Sequence, residues 1–203
     1  MTARTLGDLS MRDFCAALAA HTPTPGGGAT SAVVLAQSAA LGSMVIAYTR
    51  DKSKFAEHLP RLERTDQLLE AARHEALLLA DRDAAAYEAL SALWKRPSAE
   101  RSADPAWTAA LEEAIAAPTA IADLALATQA ALASLREITS KQLASDLRIA
   151  LILATAAVHS ALLNVEVNLP LRTDVGAQVE GQQTVESKRA ACNRVNAAAL
   201  IAP

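Results

Sequence analysis

Apolar residues recur at steps of three and four along most of the chain, and polar punctuation divides this pattern into six helical stretches. The spacing predicts a first helix from about Met11 to Ala20, opened by the S-x-x-D capping arrangement of Ser10 and Asp13, with Phe14 and Leu18 on its inner face. Two prolines and three glycines end it, because His21-Thr-Pro-Thr-Pro-Gly-Gly-Gly28 cannot continue a helix. A second helix begins near Ala29 and carries Ala32, Ala36, Ala39, Ala40 and Ser43 as a seam of small side chains that admits another helix closely. The third runs from about Pro60 to Trp94 and, at a rise of ~1.5 Å per residue, spans roughly 50 Å. Asp104-Pro105 opens a fourth, with a kink or break expected at Pro118 before it continues to about Glu137. Ser145-Asp146 opens a fifth that reaches about Leu169 and stops at Pro170. A polar stretch to Gln183 then precedes a last helix ending near Ile201.

Composition agrees with this pattern. Ala supplies 49 of 203 residues and aromatics only 3%, which favours helices over sandwiches and barrels. The expected fold is all-α, a single-domain bundle of about six helices over residues 1–203, one or two of them very long. A net charge of −3 gives no basic footprint for nucleic acid. The opening MTARTLGDLSMRDF lacks the apolar core of a signal peptide, and charges are expected to interrupt each apolar stretch short of the ~18 residues of a membrane span. A cytoplasmic protein without a membrane segment is the expectation. Cys15 and Cys192 read as small buried hydrophobes, and four scattered histidines offer no metal-ligand spacing, so no metal site is expected.

Polar residues interrupt two apolar seams. Leu69, Ala72, Ala76, Leu79, Asp83, Ala86, Leu90 and Leu93 share one stripe of the third helix, and an aspartate there loses hydration. Asp83 is therefore a candidate acid or base, unless the seam turns and leaves it wet beside Asp81 and Arg82. On the fifth helix Asp146, Ala150, Leu153, Ala157, Ala161, Asn164 and Asn168 share a face. Asp146 suits either chemistry or simple N-capping; the two asparagines, one turn apart, suit either a ligand or the setting of helix register. The PTPGGG loop places free backbone N–H groups at a helix start, where an anion could sit. Lys52 and Lys54 could bind a carboxylate, or be solvated, or compensate a helix C-terminus.

Three segments in order, AAHTPTPGGGATSAVVLAQSAALGSMVIAYTRDKSKF, ADRDAAAYEAL and SDLRIALILATAAVHSALLNVEVNL, resemble the formimidoyltetrahydrofolate cyclodeaminase / methenyltetrahydrofolate cyclohydrolase family. The resemblance runs from about Phe14 to Leu169. It implies an all-helical homodimer, a folate pocket shaped partly by the glycine loop, and a tetrahydrofolate derivative, with or without a polyglutamate tail, as substrate and as sole cofactor. By position, Pro25, Gly26, Gly27, Gly28, Lys54, Asp83, Asp146, Asn164 and Asn168 match the family's motif residues, with Lys52 competing for the lysine's place. The chain departs from the pattern at Asp51 and Phe55, where the family has a glycine and a tyrosine, and at Thr139-Ser140, where it has Gly-Asn.

The implied chemistry is hydrolysis of 5,10-methenyltetrahydrofolate to 10-formyltetrahydrofolate, favoured over the ammonia-releasing cyclodeaminase reaction because the chain carries no formiminotransferase domain. Asp83 or Asp146 would act as base while the other anchors the pterin or moves a proton. Asn164 and Asn168 would orient water or folate amides, and Lys54 with the glycine-loop N–H groups would meet carboxylates of the glutamate tail. The alternative class is a non-catalytic folate-binding or scaffold homologue.

Overall fold

The computed structural model describes residues 5–200, and every regular element among them is helical. The α-helices are α1 (Met11–Leu18), α2 (Gly27–Arg50), α3 (Leu59–Leu93), α4 (Ser98–Ala103), α5 (Pro105–Ala133), α6 (Ala144–Asn168) and α7 (Val175–Leu200). Six of them have eight residues or more; α4 is a short extra turn that the sequence pattern does not announce.

The long helices α2, α3, α5 and α6 form an up-down bundle in which each packs between two antiparallel neighbours, α2 on α3 and α6, and α5 on the same two. Small residues set this closeness. Gly42 of α2 lies so near α5 and α3 that a Cβ there would overlap Leu132 and crowd Leu69. Ser38, fully buried, donates its hydroxyl to the Ala150 carbonyl of α6 at 2.7 Å, so its polar atom is satisfied across the seam. The core falls into two halves: Leu35, Leu79, Ile121 and Leu162 anchor the glycine-loop end, and Ile46, Leu69, Leu132 and Leu151 the opposite end. Helix α7 lies along α5 and α6.

Several boundaries differ from the sequence expectation for identifiable reasons. Helix α2 starts at Gly27, two residues early, so two of the three glycines belong to its first turn. Pro118 neither breaks nor ends α5, which is continuous from Pro105 to Ala133 and gives way to a 3-10 turn at Arg136–Ile138. A proline removes the N–H that would bond the carbonyl four residues back. Here that carbonyl, of Ala114, instead accepts the Asn168 side-chain amide at 3.0 Å, so the orphan is satisfied. Helix α7 begins at Val175 and not beyond Gln183, because Asp174 accepts the N–H groups of Gly176 (2.8 Å) and Ala177 (3.2 Å). The expected terminus at Ile201 lies outside the described residues. Leu18 is 37% exposed rather than inward, and of the two free cysteines Cys15 is exposed while Cys192 is buried.

The apolar stretches are also longer than expected. Gly27–Arg50, Pro105–Ile138 and Lys141–Leu171 are each long and apolar enough to cross a membrane by length and composition. Alanine accounts for this, since it is apolar enough to sustain a run yet small enough to line helix seams, and about half of each run is buried inside the bundle.

Candidate active site at the glycine loop

The N-terminus of α2 meets the C-terminal halves of α3 and α6 around a cavity of about 280 Å³. Its lining includes Thr24, Gly26 to Gly28, Asp83, Tyr87, Asn164 and Asn168. The loop that leads into α2 is tied to α3 by the Thr24 hydroxyl, which donates to Glu88 Oε1 at 2.5 Å. Gly26 is the N-cap, in extended conformation, and Gly27 and Gly28 form the first turn. The glycines are there for close approach. A Cβ on Gly28 would overlap the Asp83 carboxyl group, whereas one on Gly27 would only touch Asn164 at 3.4 Å.

Asp83 thus reaches over the bare backbone of Gly28 and accepts the N–H of Ala29, one of the donors that a helix start leaves without an intrahelical partner. Burial between α2 and α3 disfavours its charged form, the Ala29 N–H partly offsets this, and its pKa rises from 3.8 to about 6. Such a carboxyl group can both take and return a proton near neutral pH.

The two asparagines present acceptors. Asn164 donates its amide to the Ser160 carbonyl at 2.9 Å; Asn168 donates to the carbonyls of Asn164 and Ala114, each at 3.0 Å. Since all these partners are carbonyls, only the NH2 groups can face them. Among the described residues no donor meets the Oδ1 of either, and both residues line the cavity. Among the described residues no cationic side chain lines this cavity, so its character is that of a carboxyl group and two side-chain amides set against the positive end of α2.

Of the residues singled out in the sequence, Gly26, Gly27, Gly28, Asp83, Asn164 and Asn168 come together here. Pro25 is buried behind the loop and lines an adjoining cavity of about 490 Å³ with Leu18, Val34 and Leu163; the two cavities share Pro23, Gly26, Gly27 and Asn164. Lys52, Lys54 and Asp146 lie elsewhere. Asp146 sits in the first turn of α6, and the 18 residues from there to Asn164 correspond to about 27 Å of helix. Lys52 donates to Ser140 Oγ (2.7 Å) and Gln142 Oε1 (3.1 Å), and the Lys54 ammonium lies 4.7 Å from the centre of the Phe55 ring. Two positions that depart from the family pattern are therefore engaged with the two lysines. Tyr87 lines the cavity without having stood out in the sequence pattern; its place one turn after Asp83 puts both on one face of α3. Among the described residues no three His, Cys, Asp or Glu side chains converge as a metal site would require.

Residues 10–187 match the family described as formiminotransferase-cyclodeaminase. The chain belongs to that family. Among formiminotransferase-cyclodeaminase relatives, the methenyltetrahydrofolate cyclohydrolase of Methylorubrum extorquens is 29% identical over 166 residues, 80% of each chain. The formimidoyltransferase-cyclodeaminase of Rattus norvegicus is 31% identical over 175 residues, which are 84% of this chain but only 32% of the rat protein. The crystal structure of formiminotetrahydrofolate cyclodeaminase from Thermotoga maritima superposes with a TM-score of 0.88 at 29% identity, covering 96% of this chain and 95% of that one. Cyclohydrolase and cyclodeaminase names thus both occur among family members of matching length, so the matched length does not distinguish the two activities.

Proposed function

We propose that the chain is a folate one-carbon enzyme that hydrolyses 5,10-methenyltetrahydrofolate to 10-formyltetrahydrofolate at the Asp83 cavity. The observation that carries this reading is a carboxyl group poised near neutrality in a cavity it shares with two asparagines whose oxygens meet no donor among the described residues. The methenyl carbon bridges N5 and N10 of the folate as a cation, and the carboxyl group and amide acceptors of the cavity favour it. An asparagine Oδ1, of Asn164 or Asn168, accepts one hydrogen of a water molecule and Asp83 the other, which holds the water for attack. The water oxygen bonds to the methenyl carbon while Asp83 takes one proton, giving a tetrahedral aminol. Asp83 returns that proton to N5 as the carbon–N5 bond breaks, and the remaining hydroxyl proton is lost to solvent as the formyl carbonyl forms. The adjoining cavity, with Leu18, Val34 and Leu163, suits the flat apolar part of a folate.

In the cyclodeaminase reaction the folate's own N10 attacks and ammonia leaves, so no water needs to be held; an amide acceptor beside Asp83 to hold one is the feature that favours hydrolysis. The similarity to the Thermotoga maritima cyclodeaminase keeps this second reading in view. The deciding experiment follows the loss of methenyl-folate absorbance with purified protein, beside ammonia release from formimino-folate. The parent is expected to turn over the methenyl compound, and Asp83→Asn to lose about 10²–10⁴-fold in rate. Turnover unaffected by that substitution removes Asp83 from the mechanism, and ammonia release alone promotes the cyclodeaminase reading. Folate binding with neither activity would make the chain a non-catalytic homologue.

The residues that match the family pattern lie at both ends of one bundle, which a homodimer would reconcile. Ile149, Ile152, Leu163 and Val167 form an exposed apolar stripe on α6, and Tyr48 of α2 is also exposed. Two copies pairing antiparallel through this face would bring the Lys52, Lys54 and Asp146 of one towards the Asp83 cavity of the other.

A further inference from the structure

We propose that Tyr87 selects the charge of the folate's reacting ring: its aromatic face binds the cationic methenyl bridge and not the neutral formyl product. This specificity element rests on the hydrolysis proposed above and belongs to the same cavity.

The place of Tyr87 is set from both sides. One turn before it, Asp83 reaches over Gly28 and accepts the Ala29 N–H. Immediately after it, Glu88 accepts the Thr24 hydroxyl at 2.5 Å. The glycine loop is thus held against α3 before and after residue 87, and Tyr87 stands in the cavity wall between those two contacts. It also differs from the other polar side chains of the lining. Asp83, Thr24, Asn164 and Asn168 are all hydrogen-bonded to protein groups. Tyr87, 48% exposed, has no hydrogen bond, ion pair or ring contact among the described residues. A half-exposed aromatic ring on a concave wall is apolar surface available to a ligand.

The reaction supplies the ligand's charge. The methenyl bridge spreads one positive charge over N5, the bridging carbon and N10, which makes it a flat amidinium. Such a cation is attracted to the face of a tyrosine ring when it lies within about 6 Å of the ring centre. Residues one helical turn apart have Cβ atoms about 5–6 Å apart, so a bridge placed to react beside Asp83 lies within that reach. When water attacks, its oxygen bonds to the bridging carbon, one proton passes to Asp83 and the aminol is neutral. The attraction to the ring is therefore strongest before the chemical step and absent from the product. It tightens substrate binding without lowering the barrier, and it lets the formyl compound leave without breaking that contact. The glutamate carboxylates are common to both compounds and cancel in the comparison.

The test measures steady-state hydrolysis of methenyl-folate by the parent, Tyr87→Leu and Tyr87→Phe, together with inhibition by 10-formyltetrahydrofolate. Leucine keeps apolar bulk and removes the ring. In Tyr87→Leu, KM is expected to rise about three- to tenfold with kcat held or raised, while the inhibition constant of the formyl compound changes less than about twofold. Tyr87→Phe, which keeps the ring face, is expected to rescue most of the loss in KM. A KM and an inhibition constant that rise together in Tyr87→Leu would make the ring a plain apolar contact, and a lowered kcat at unchanged KM would place it in the chemical step. Either result overturns charge selection, as does a loss in Tyr87→Phe equal to that in Tyr87→Leu. A parent that does not turn over methenyl-folate sinks the hydrolytic reading, and equilibrium titration of the same two folates then judges Tyr87 separately. Weakening of the methenyl compound alone by Tyr87→Leu upholds the selection; equal effects on both folates, or binding of neither, refute it.

Discussion

A carboxyl group that holds its proton up to about pH 6 makes a prediction about stability as well as about rate. In the unfolded chain Asp83 returns to its ordinary value of 3.8, so between these two values the folded state binds more protons than the unfolded one. Stability from this group is therefore fullest in acid and declines as pH rises through the window from about 4 to 6. Asparagine keeps an acceptor for the Ala29 N–H without a charge to desolvate. Asp83→Asn is thus expected to be more stable than the parent at pH 8, by about 1 to 3 kcal/mol, with the gain shrinking towards pH 4. Urea unfolding at the two pH values checks this; an equal difference at both would mean that desolvation of the carboxylate is not the cause. Asp83 was legible in the sequence because a single charge on a strict three-and-four apolar stripe has few ways to be accommodated. Tyr87 was not, because an aromatic residue at helical spacing reads equally well as core, and only the position of the glycine loop turns that face of α3 into a cavity wall.

At the scale of elements, helix existence followed from apolar spacing, whereas the ends and the effect of Pro118 depended on partners remote in sequence. The proline signals a break only if the carbonyl it abandons goes unsatisfied, and Asn168 lies 54 residues further along from the Ala114 that it serves. The same bond fixes Asn168 on the cavity lining, so Pro118 has a positioning role reaching the candidate site through Ala114. Replacing it with alanine restores an N–H that competes for the carbonyl. Pro118→Ala is expected to gain part of the ~3 kcal/mol that proline costs a helix interior, offset by the loss of a buried ring, while kcat/KM falls as Asn168 is loosened. Thermal unfolding and steady-state kinetics on one preparation separate the effects, and unchanged kinetics would show that Asn168 does not depend on this bond. The start of α7 was hidden for a related reason: a polar run reads as a loop until Asp174 is recognised as its cap.

For the molecule as a whole, the all-helical bundle and the glycine-loop group could be read from one chain's pattern, but the distribution of matched residues over two ends could not, since linear spacing does not reveal which helix ends meet. The apolar stripe of α6 supplies the remaining argument. Exposed Ile149, Ile152, Leu163 and Val167 follow helical steps along nearly the full length of α6, and a stable interface of about 1,000 Å² or more requires such an extended face. Placing charges there, in Ile152→Glu or Leu163→Glu, is expected to leave helicity intact and shift the protein to monomer in sedimentation velocity, because a carboxylate in an apolar interface is desolvated without a partner. If the partner's Asp146 end completes the Asp83 cavity, activity falls with dissociation. Mixing inactive Asp83→Asn and Asp146→Asn chains then restores part of it, because each mixed dimer holds one cavity with neither substitution. An Asp146→Asn chain that stays fully active would confine the chemistry to one chain's Asp83, Asn164 and Asn168, and a parent that sediments as monomer would leave the α6 stripe facing a different partner.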